Sequence, residues 1–599
     1  MQRAVLLGVA LCVHLAAAPA VQAVDYFWQN GVGGAFTEPS NWTPFVPPGV
    51  QGPGGAADTV NFDLGTAEAA PYLVSDVSGQ NNRLLVRDDS LQLSIFPSYS
   101  LASTGGNDPS LVVGRASGDV ANLILSGASS STFTNDVTRI ANVSGATGAV
   151  SIVEMLWTSG NLRVGYAGAG ELTIDEAATV ASTNASLGHL ANSHGTALVN
   201  GDATWMTTGE MLIGREGDGV LSILNSGIVI NTNASLGSEA TGEGTVHVGG
   251  PAPSWTVQNT LSVGTVGDGS INFTGGSIIT NNVNVGGLPA SDGAVSMVTG
   301  DWVSSGQLTV GGQSVGPTAG GSGLFRITGG NAVVNQMIVT PNGRVELDGG
   351  GIDADVITAQ APTGQFSFTA GPLSVREFNG NLNNQGGTLS PYEGSVINGN
   401  YTHTAAADLF CFITGEAAND EYTSVDVSGT ASLAGELYFQ LNNLYEPDPS
   451  EVYTLLSASG LTGAFSNVAS GQRVDDANVN GSFLVYYGPG SPFNPNHVVL
   501  TSFLPSGPAG DYNNNGIVDA ADYAVWRDHL GAPNGALVND VNHGTIDQDQ
   551  YNTWKANFGT SGAGSTIGAT VPEPATIALF AAGSLFSART VRTLRRGSV

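Results

Sequence analysis

Lysine is almost missing from this 599-residue chain: among 17 basic residues only Lys555 is a lysine, and charged residues of both signs make up just 11%. Against 49 acids those bases leave a formal net charge of -32. That balance argues against nucleic acid and anionic lipid as partners held by general electrostatics, and it suits calcium-containing surroundings. Cysteine is as scarce. Of the two, Cys12 lies in an N-terminal apolar run and Cys411 in Leu409-Phe-Cys-Phe-Ile413, so loss of an export signal leaves no possible intramolecular disulfide. Cys411 reads as a buried strand residue. The low charge does not mean disorder, because 41% of the residues are hydrophobic and the polar remainder is rich in the Gly, Ser, Thr and Asn of turns.

What is abundant is glycine, 84 in all, and much of it ends a recurring apolar phrase. Leu111-Val-Val-Gly114, Leu162-Arg-Val-Gly165, Ala185-Ser-Leu-Gly188, Met211-Leu-Ile-Gly214, Ala234-Ser-Leu-Gly237, Leu261-Ser-Val-Gly264, Val283-Asn-Val-Gly286 and Leu308-Thr-Val-Gly311 space their glycines 22 to 27 residues apart from Gly165 onward. A degenerate copy, Arg139-Ile-Ala-Asn142, fills the one long gap. Trp157, Trp205, Trp255 and Trp302 precede their glycines by eight or nine residues, and Val180, Ile228 and Ile278 are expected in the same column of the intervening turns. The unit is therefore a pair of turns, about 24 residues each and about 49 together. Alternating runs such as Gly219-Val-Leu-Ser-Ile223, bounded by Gly, Asn, Asp and Ser, are strands and bends.

Short strands in such turns are best buried by stacking on copies of themselves, so residues 106–400 predict a right-handed parallel β-solenoid in a mainly β chain. With strands roughly 4.8 Å apart, about twelve turns would make a rod on the order of 60 Å long. Tryptophan alternating with β-branched residues in one column predicts an interior stack and not a ligand ladder.

In chain order, residues 1–23 predict an export signal: a basic start at Arg3, an apolar run from Ala4 to Ala18, and small residues before a cut near Ala23. Leu11 stands where a lipoprotein signal at Cys12 would want a small residue. Residues 24–105, with Trp28, Trp42 and Pro-rich turns, predict an N-terminal β cap. Residues 401–504 predict a C-terminal antiparallel β-domain. The phrases from Asn41-Trp42 to Phe62, and those that close the repeats, resemble the opening and closing regions of autotransporter-like β-repeat proteins of bacterial surfaces.

After a linker at 505–509 comes Asp511-Tyr-Asn513-Asn-Asn515-Gly516-Ile517-Val-Asp519-Ala-Ala-Asp522. Calcium wants six or more oxygens, and a twelve-residue loop provides them from positions 1, 3, 5, 7, 9 and 12 around a glycine at 6. Those are Asp511, Asn513, Asn515, the Ile517 carbonyl, Asp519 and Asp522, with Gly516 at the turn. A helix bearing Tyr523, Trp526 and Leu530 follows, and the spacing recurs as Tyr551, Trp554 and Phe558. This duplication over 510–560 resembles type I dockerin modules, whose last ligand is a short aspartate. The resemblance implies a Ca2+-dependent, small α-helical module that attaches its carrier to a cohesin-like protein. The second loop, with Asn539, Asp540, Asn542 and Asp547, departs from the pattern because Asp540 and Asn542 are one residue out of register.

Beyond a linker at 561–570, residues 571–599 place Pro572-Glu573-Pro574 before an apolar run and then Arg592, Arg595 and Arg596. This combination resembles the PEP-CTERM sorting signal, which implies an exosortase-type processing enzyme and transient anchoring in the membrane through the tail. A plain tail anchor is the alternative. An enzyme of the pectin-cleaving solenoid kind would need clustered acids or paired carboxylates at a groove. Arg115, Arg139, Arg163 and Arg215 instead read as a solvated edge, and His189, His194 and His247 lack metal-ligand spacing. No catalytic residues are therefore assigned. The expected protein is an exported, surface-displayed structural or adhesive solenoid, at the cell surface or in the extracellular matrix. The alternative is an extracellular polysaccharide-binding component, or a polysaccharide-degrading one of glycoside hydrolase or lyase type.

Overall fold

A computed structural model describes residues 23–45, 58–65, 70–102, 108–312, 320–360, 365–442, 445–478, 480–533, 536–542 and 544–561. The chain divides into two compact units, Met1–Leu504 and Pro505–Val599.

In the first unit each turn adds one strand to each of two parallel ladders. One ladder runs through Val120–Gly127, Thr147–Val153, Ala169–Asp175, His194–Val199 and Asp218–Leu224. The other runs through Thr132–Ile140, Leu156–Val164, Thr179–Leu187, Thr204–Ile213 and Ile228–Leu236. Through these turns pairing skips one strand, and the same parallel stacking continues along the unit as a parallel β-solenoid of about 15 turns. Asp218–Leu224 alternates half-buried and buried along its whole length, the period of two that puts Leu221 and Ile223 inside.

One interior column runs Tyr99, Phe133, Trp157, Val180, Trp205, Val229, Trp255, Ile278, Trp302 and Ala332, each opposite the next. All four tryptophans are 0% exposed, as an interior stack requires. Ile228, expected in this column, lies instead beside Thr204 and Ser254 on the half-buried outer face, and Val229 takes its place. The reason is a bulge. Thr204–Ile213 carries one residue more than Ile228–Leu236, and the register shifts between Thr207 and Glu210. Column residues therefore stand nine before the turn glycine in the longer strands and eight before it in the shorter ones.

The turn glycines are required by conformation. Gly165 has φ +64° and a Cβ there would sit 2.0 Å from the His194 carbonyl oxygen. Ala141, in the degenerate copy, adopts φ 56° at the equivalent place and carries the left-handed strain that glycine avoids.

Both flanking expectations change. Asp25–Trp28 already pairs in parallel with Thr59–Phe62, which pairs with Arg83–Val86 and so on into the ladder. The described residues of 24–105 are thus largely the first turns of the stack, and among them Trp42–Thr43 runs antiparallel to Asp25–Trp28. Those turns lack the glycine phrase, so their period is invisible in the sequence. Tyr26, Trp28, Phe36, Trp42 and Phe62 pack together as a buried aromatic plug, with Trp28 and Trp42 ring centroids 4.9 Å apart. At the other end, Tyr401–His403, Asp408–Ile413 and Val425–Leu433 continue the parallel ladders. Antiparallel pairing, expected across 401–504, is found among the described residues in Val452–Gly463 with His497–Pro505, in Arg473–Asp475 with Gly481–Tyr486 and in an isolated bridge between Ile413 and Tyr422. Cys411 is fully buried opposite Phe439, and burial pushes its thiol up to about 12.

The second unit holds two short helices, α1 (Ala520–Asp528) and α2 (Gln548–Asn557), each opened by a capping box, from Asp519 and Asp547. The Trp526 indole donates to the Asp547 carbonyl at 2.8 Å, and the Trp554 indole to the Asp519 carbonyl at 2.7 Å, so each half pins the other's helix start. Among the described residues no helix is long and apolar enough to cross a membrane. The expected export signal before Ala23 and the sorting residues Pro572, Glu573, Pro574, Arg592, Arg595 and Arg596 lie outside the described residues.

Candidate functional site

The first loop of the second unit is wound around its own acids. The Asp511 carboxylate accepts from the Asn515 amide at 3.0 Å and the Gly516 amide at 2.7 Å. Asp522, eleven residues on, accepts from the Asn513 amide at 2.9 Å and the Asp519 amide at 2.8 Å. The Asn513 and Asn515 side-chain oxygens each accept from the amide two residues ahead, which turns both toward the chain of the loop. Asp519 caps α1 through the Ala521 amide. Gly516 makes the sharp turn at φ +84° and Asn514 is left-handed at φ 54°. Asp511 and Asp522 are both buried, and Asp511 is held above the usual carboxylate range by burial, against the pull of its two amide donors and with the Asp522 charge adding to the rise.

Each carboxylate and amide oxygen in this set keeps a lone pair after its backbone bond. The backbone amides offset the repulsion of two buried acids sharing one loop only in part, since Asp511 stays raised, so the donor chemistry fits a hard, oxygen-ligated ion. Among the described residues no three His, Cys, Asp or Glu side chains gather as a metal cluster. A cation here would therefore depend on Asn513, Asn515 and the Ile517 carbonyl as much as on the two acids.

The second loop is built differently. Asn539 is used up in structure: it accepts from the Gly507 amide at 2.9 Å and donates to the Asp511 carbonyl at 2.7 Å and Asn514 at 2.9 Å. Gln550 stands where the first half has Asp522, accepting from the Asp547 amide at 2.8 Å and donating to Asp540 at 3.0 Å. Asp540 also accepts from the Asn542 amide, Asn542 donates onward to Thr553, and Asp547 caps α2. An amide N–H thus meets the acid that a cation would meet in the first loop.

On the solenoid, His194 pairs with Asp218 at 2.8 Å and His247 lies 3.4 Å from Asn272, each without a third metal-ligating neighbour among the described residues. The Ser186 hydroxyl lies 2.8 Å from His189 Nδ1, but burial and the Arg163, Arg215 and Arg139 charges push that imidazole down to about 3, which makes it a poor general base at neutral pH. Arg139 and Arg163, read from the sequence as a solvated edge, are half-buried and pack on Tyr166. Nothing in the sequence spacing of the arginines alone points to Tyr166 and His189 as their partners. Both follow a turn glycine directly, as do Arg115 and Arg215, and that shared offset was the available signal.

Compared with known proteins, the chain matches no family model, no curated protein and no solved structure.

Proposed function

We propose that this is an exported, surface-displayed protein in which the β-solenoid serves as a structural or adhesive spacer and residues 510–560 form a Ca2+-dependent, dockerin-like attachment module for a cohesin-like partner. In this reading the aromatic plug caps the N-terminal end of a right-handed coil, the antiparallel strands before residue 504 close the other, and an exosortase-type enzyme processes the tail. The observation that carries the proposal is the pair of buried acids, Asp511 and Asp522, in a loop whose amides leave lone pairs for a cation. The two helices support the attachment role, because Leu530 and Phe558 are 58% and 56% exposed at their ends and Tyr523 is 36% exposed. Apolar residues left out of a small core are what a docking face needs.

Calorimetric titration of the full chain with Ca2+ tests this. One ion per chain is expected, with binding lost in Asp522→Ala and retained in Asp540→Asn. Absence of calcium heat in the unaltered chain sinks the module reading. Loss of binding in Asp540→Asn would assign the ion to the second loop instead.

A further inference from the structure

Four successive turns of the solenoid carry cationic and aromatic side chains along one edge. Arg139 and Arg163 are register partners in adjacent strands. Tyr166 follows Gly165, His189 follows Gly188 and Arg215 follows Gly214. The Arg139 guanidinium lies 4.1 Å from the Tyr166 ring centroid and that of Arg163 lies 5.6 Å from it, while the His189 ring stacks on Tyr166 at 5.1 Å and 20°. Arg215 donates to the His189 carbonyl at 3.2 Å and pairs with Glu216 at 2.6 Å.

The charge at this edge runs against the rest of the chain, whose net charge is -32. Arg87, Arg326, Arg344, Arg376 and Arg527 each sit within ion-pair distance of an acid. Arg163 has no such acid among the described residues, and the cations acting on it are Arg139 and Arg215. Half-buried like charges oppose one another, and an oxyanion from outside the chain would offset that repulsion. Guanidinium groups only donate, and their fork matches the two oxygens of a carboxylate or sulfate. On the same outer face, Asn161, two residues before Arg163, accepts from exposed Asn184 of the next turn at 3.2 Å, which adds amide groups suited to hydroxyls.

Four turns at strand spacing make a line of roughly 15 Å, so the donors follow one another as the acidic groups of a polymer would. Both faces of Tyr166 are engaged, by Arg139 and His189, which leaves no platform for stacking a nucleic-acid base.

We propose that this edge binds an acidic polysaccharide, with Arg139, Arg163 and Arg215 receiving its oxyanions and Asn161 and Asn184 its neighbouring hydroxyls. The assignment rests on the adhesive half of the proposed function. Affinity electrophoresis of the full chain in polygalacturonate, in its methyl ester, in dextran sulfate and in neutral dextran tests it. The unaltered chain should be retarded by an acidic polymer and not by its neutral counterpart, and the acidic polymer that works identifies carboxylate or sulfate as the ligand. Arg163→Gln should weaken that binding about tenfold or more, while Arg344→Gln, outside the edge, should not. Thermal melting separates this from damage to the fold. Arg163→Gln removes repulsion, so its midpoint without polymer should hold or rise while the rise on adding polymer disappears. Should Arg163→Gln unfold, Arg215→Gln supplies the binding comparison and the loss of the polymer-induced rise, with a lower midpoint allowed because Arg215 also pairs with Glu216. Binding undiminished by these variants overturns the site but leaves the adhesive reading standing. Failure to bind any acidic polymer overturns the site, and failure on all four polymers counts against a polysaccharide-adhesive role as well.

Discussion

The four tryptophans of the interior column each bury a large apolar surface, and three of them also find a partner for the buried indole N–H, whereas Trp302 Nε1 has none among the described residues. Trp157 donates to Asn135 at 2.8 Å, Trp205 to Ser182 at 3.2 Å and Trp255 to Asn231 at 2.8 Å, in each case to a residue one turn back. The two contributions are separable. Trp205→Ala should cost about 3–5 kcal/mol through the cavity it leaves. Asn231→Ala should cost about 1–3 kcal/mol by stranding the Trp255 donor, with hydrogen exchange in neighbouring strands reporting both. His403 offers a pH-dependent counterpart. It is buried against Tyr401 and Phe465, and burial pushes its imidazole down to about 4. The unfolded chain takes up a proton near about 6.5, before the native state does, so this group's contribution is fully present above that pH and declines as pH falls toward 4. Urea midpoints between pH 7 and 4 should show that decline, and His403→Phe should flatten it.

At the level of elements, the two loop-helix halves of the second unit show how one pattern yields two sites of different character. Asp511 and Asp522 bring two acids together, whereas Asp540 meets the Gln550 amide. The pH response should expose the difference. Because folding raises the Asp511 carboxyl, the ion-free module should lose stability as pH rises through the ordinary carboxylate range near about 4. Bound Ca2+ requires the ionised form, so with calcium present the slope should reverse and stability should fall as pH drops. Melting of the full chain, followed by tryptophan fluorescence with calcium and with chelator across pH 4 to 7, checks the reversal. A common slope under both conditions would mean that the loop holds no cation. The loop's ligand spacing and glycine were legible in the sequence. Gln550 as a donor was not, because its partner Asp540 stands one residue beyond the position that Asp511 takes in the first loop.

For the solenoid unit, stability should follow from contacts between neighbouring turns, since each turn pairs only with the turn before it and the turn after. Removing residues 214–263, two complete turns, would bring Trp205 next to the turn of Ile278 and restore the alternation. That deletion should leave a folded β protein, with a melting midpoint lowered by no more than a few degrees. Removing residues 214–225 takes out a strand of one ladder only, so it should abolish cooperative melting as followed by circular dichroism. Equal behaviour of the two deletions would show that register between turns is not what holds the stack.

Repetition is what the sequence alone determined: a period of two within strands and a glycine every 22 to 27 residues specify stacked turns, because only glycine adopts the left-handed turn cheaply. Where the repeat lost its glycines, at residues 24–105 and 401–450, the same parallel pairing persisted unseen, since backbone hydrogen bonding to an existing ladder needs no sequence signature. Tertiary structure alone decided the phase of Val229 against Ile228, through a one-residue bulge in the neighbouring strand. It also decided which arginines meet. Arg163 and Arg215 lie 52 positions apart in sequence, and only the coiling of the chain places their charges within reach of each other.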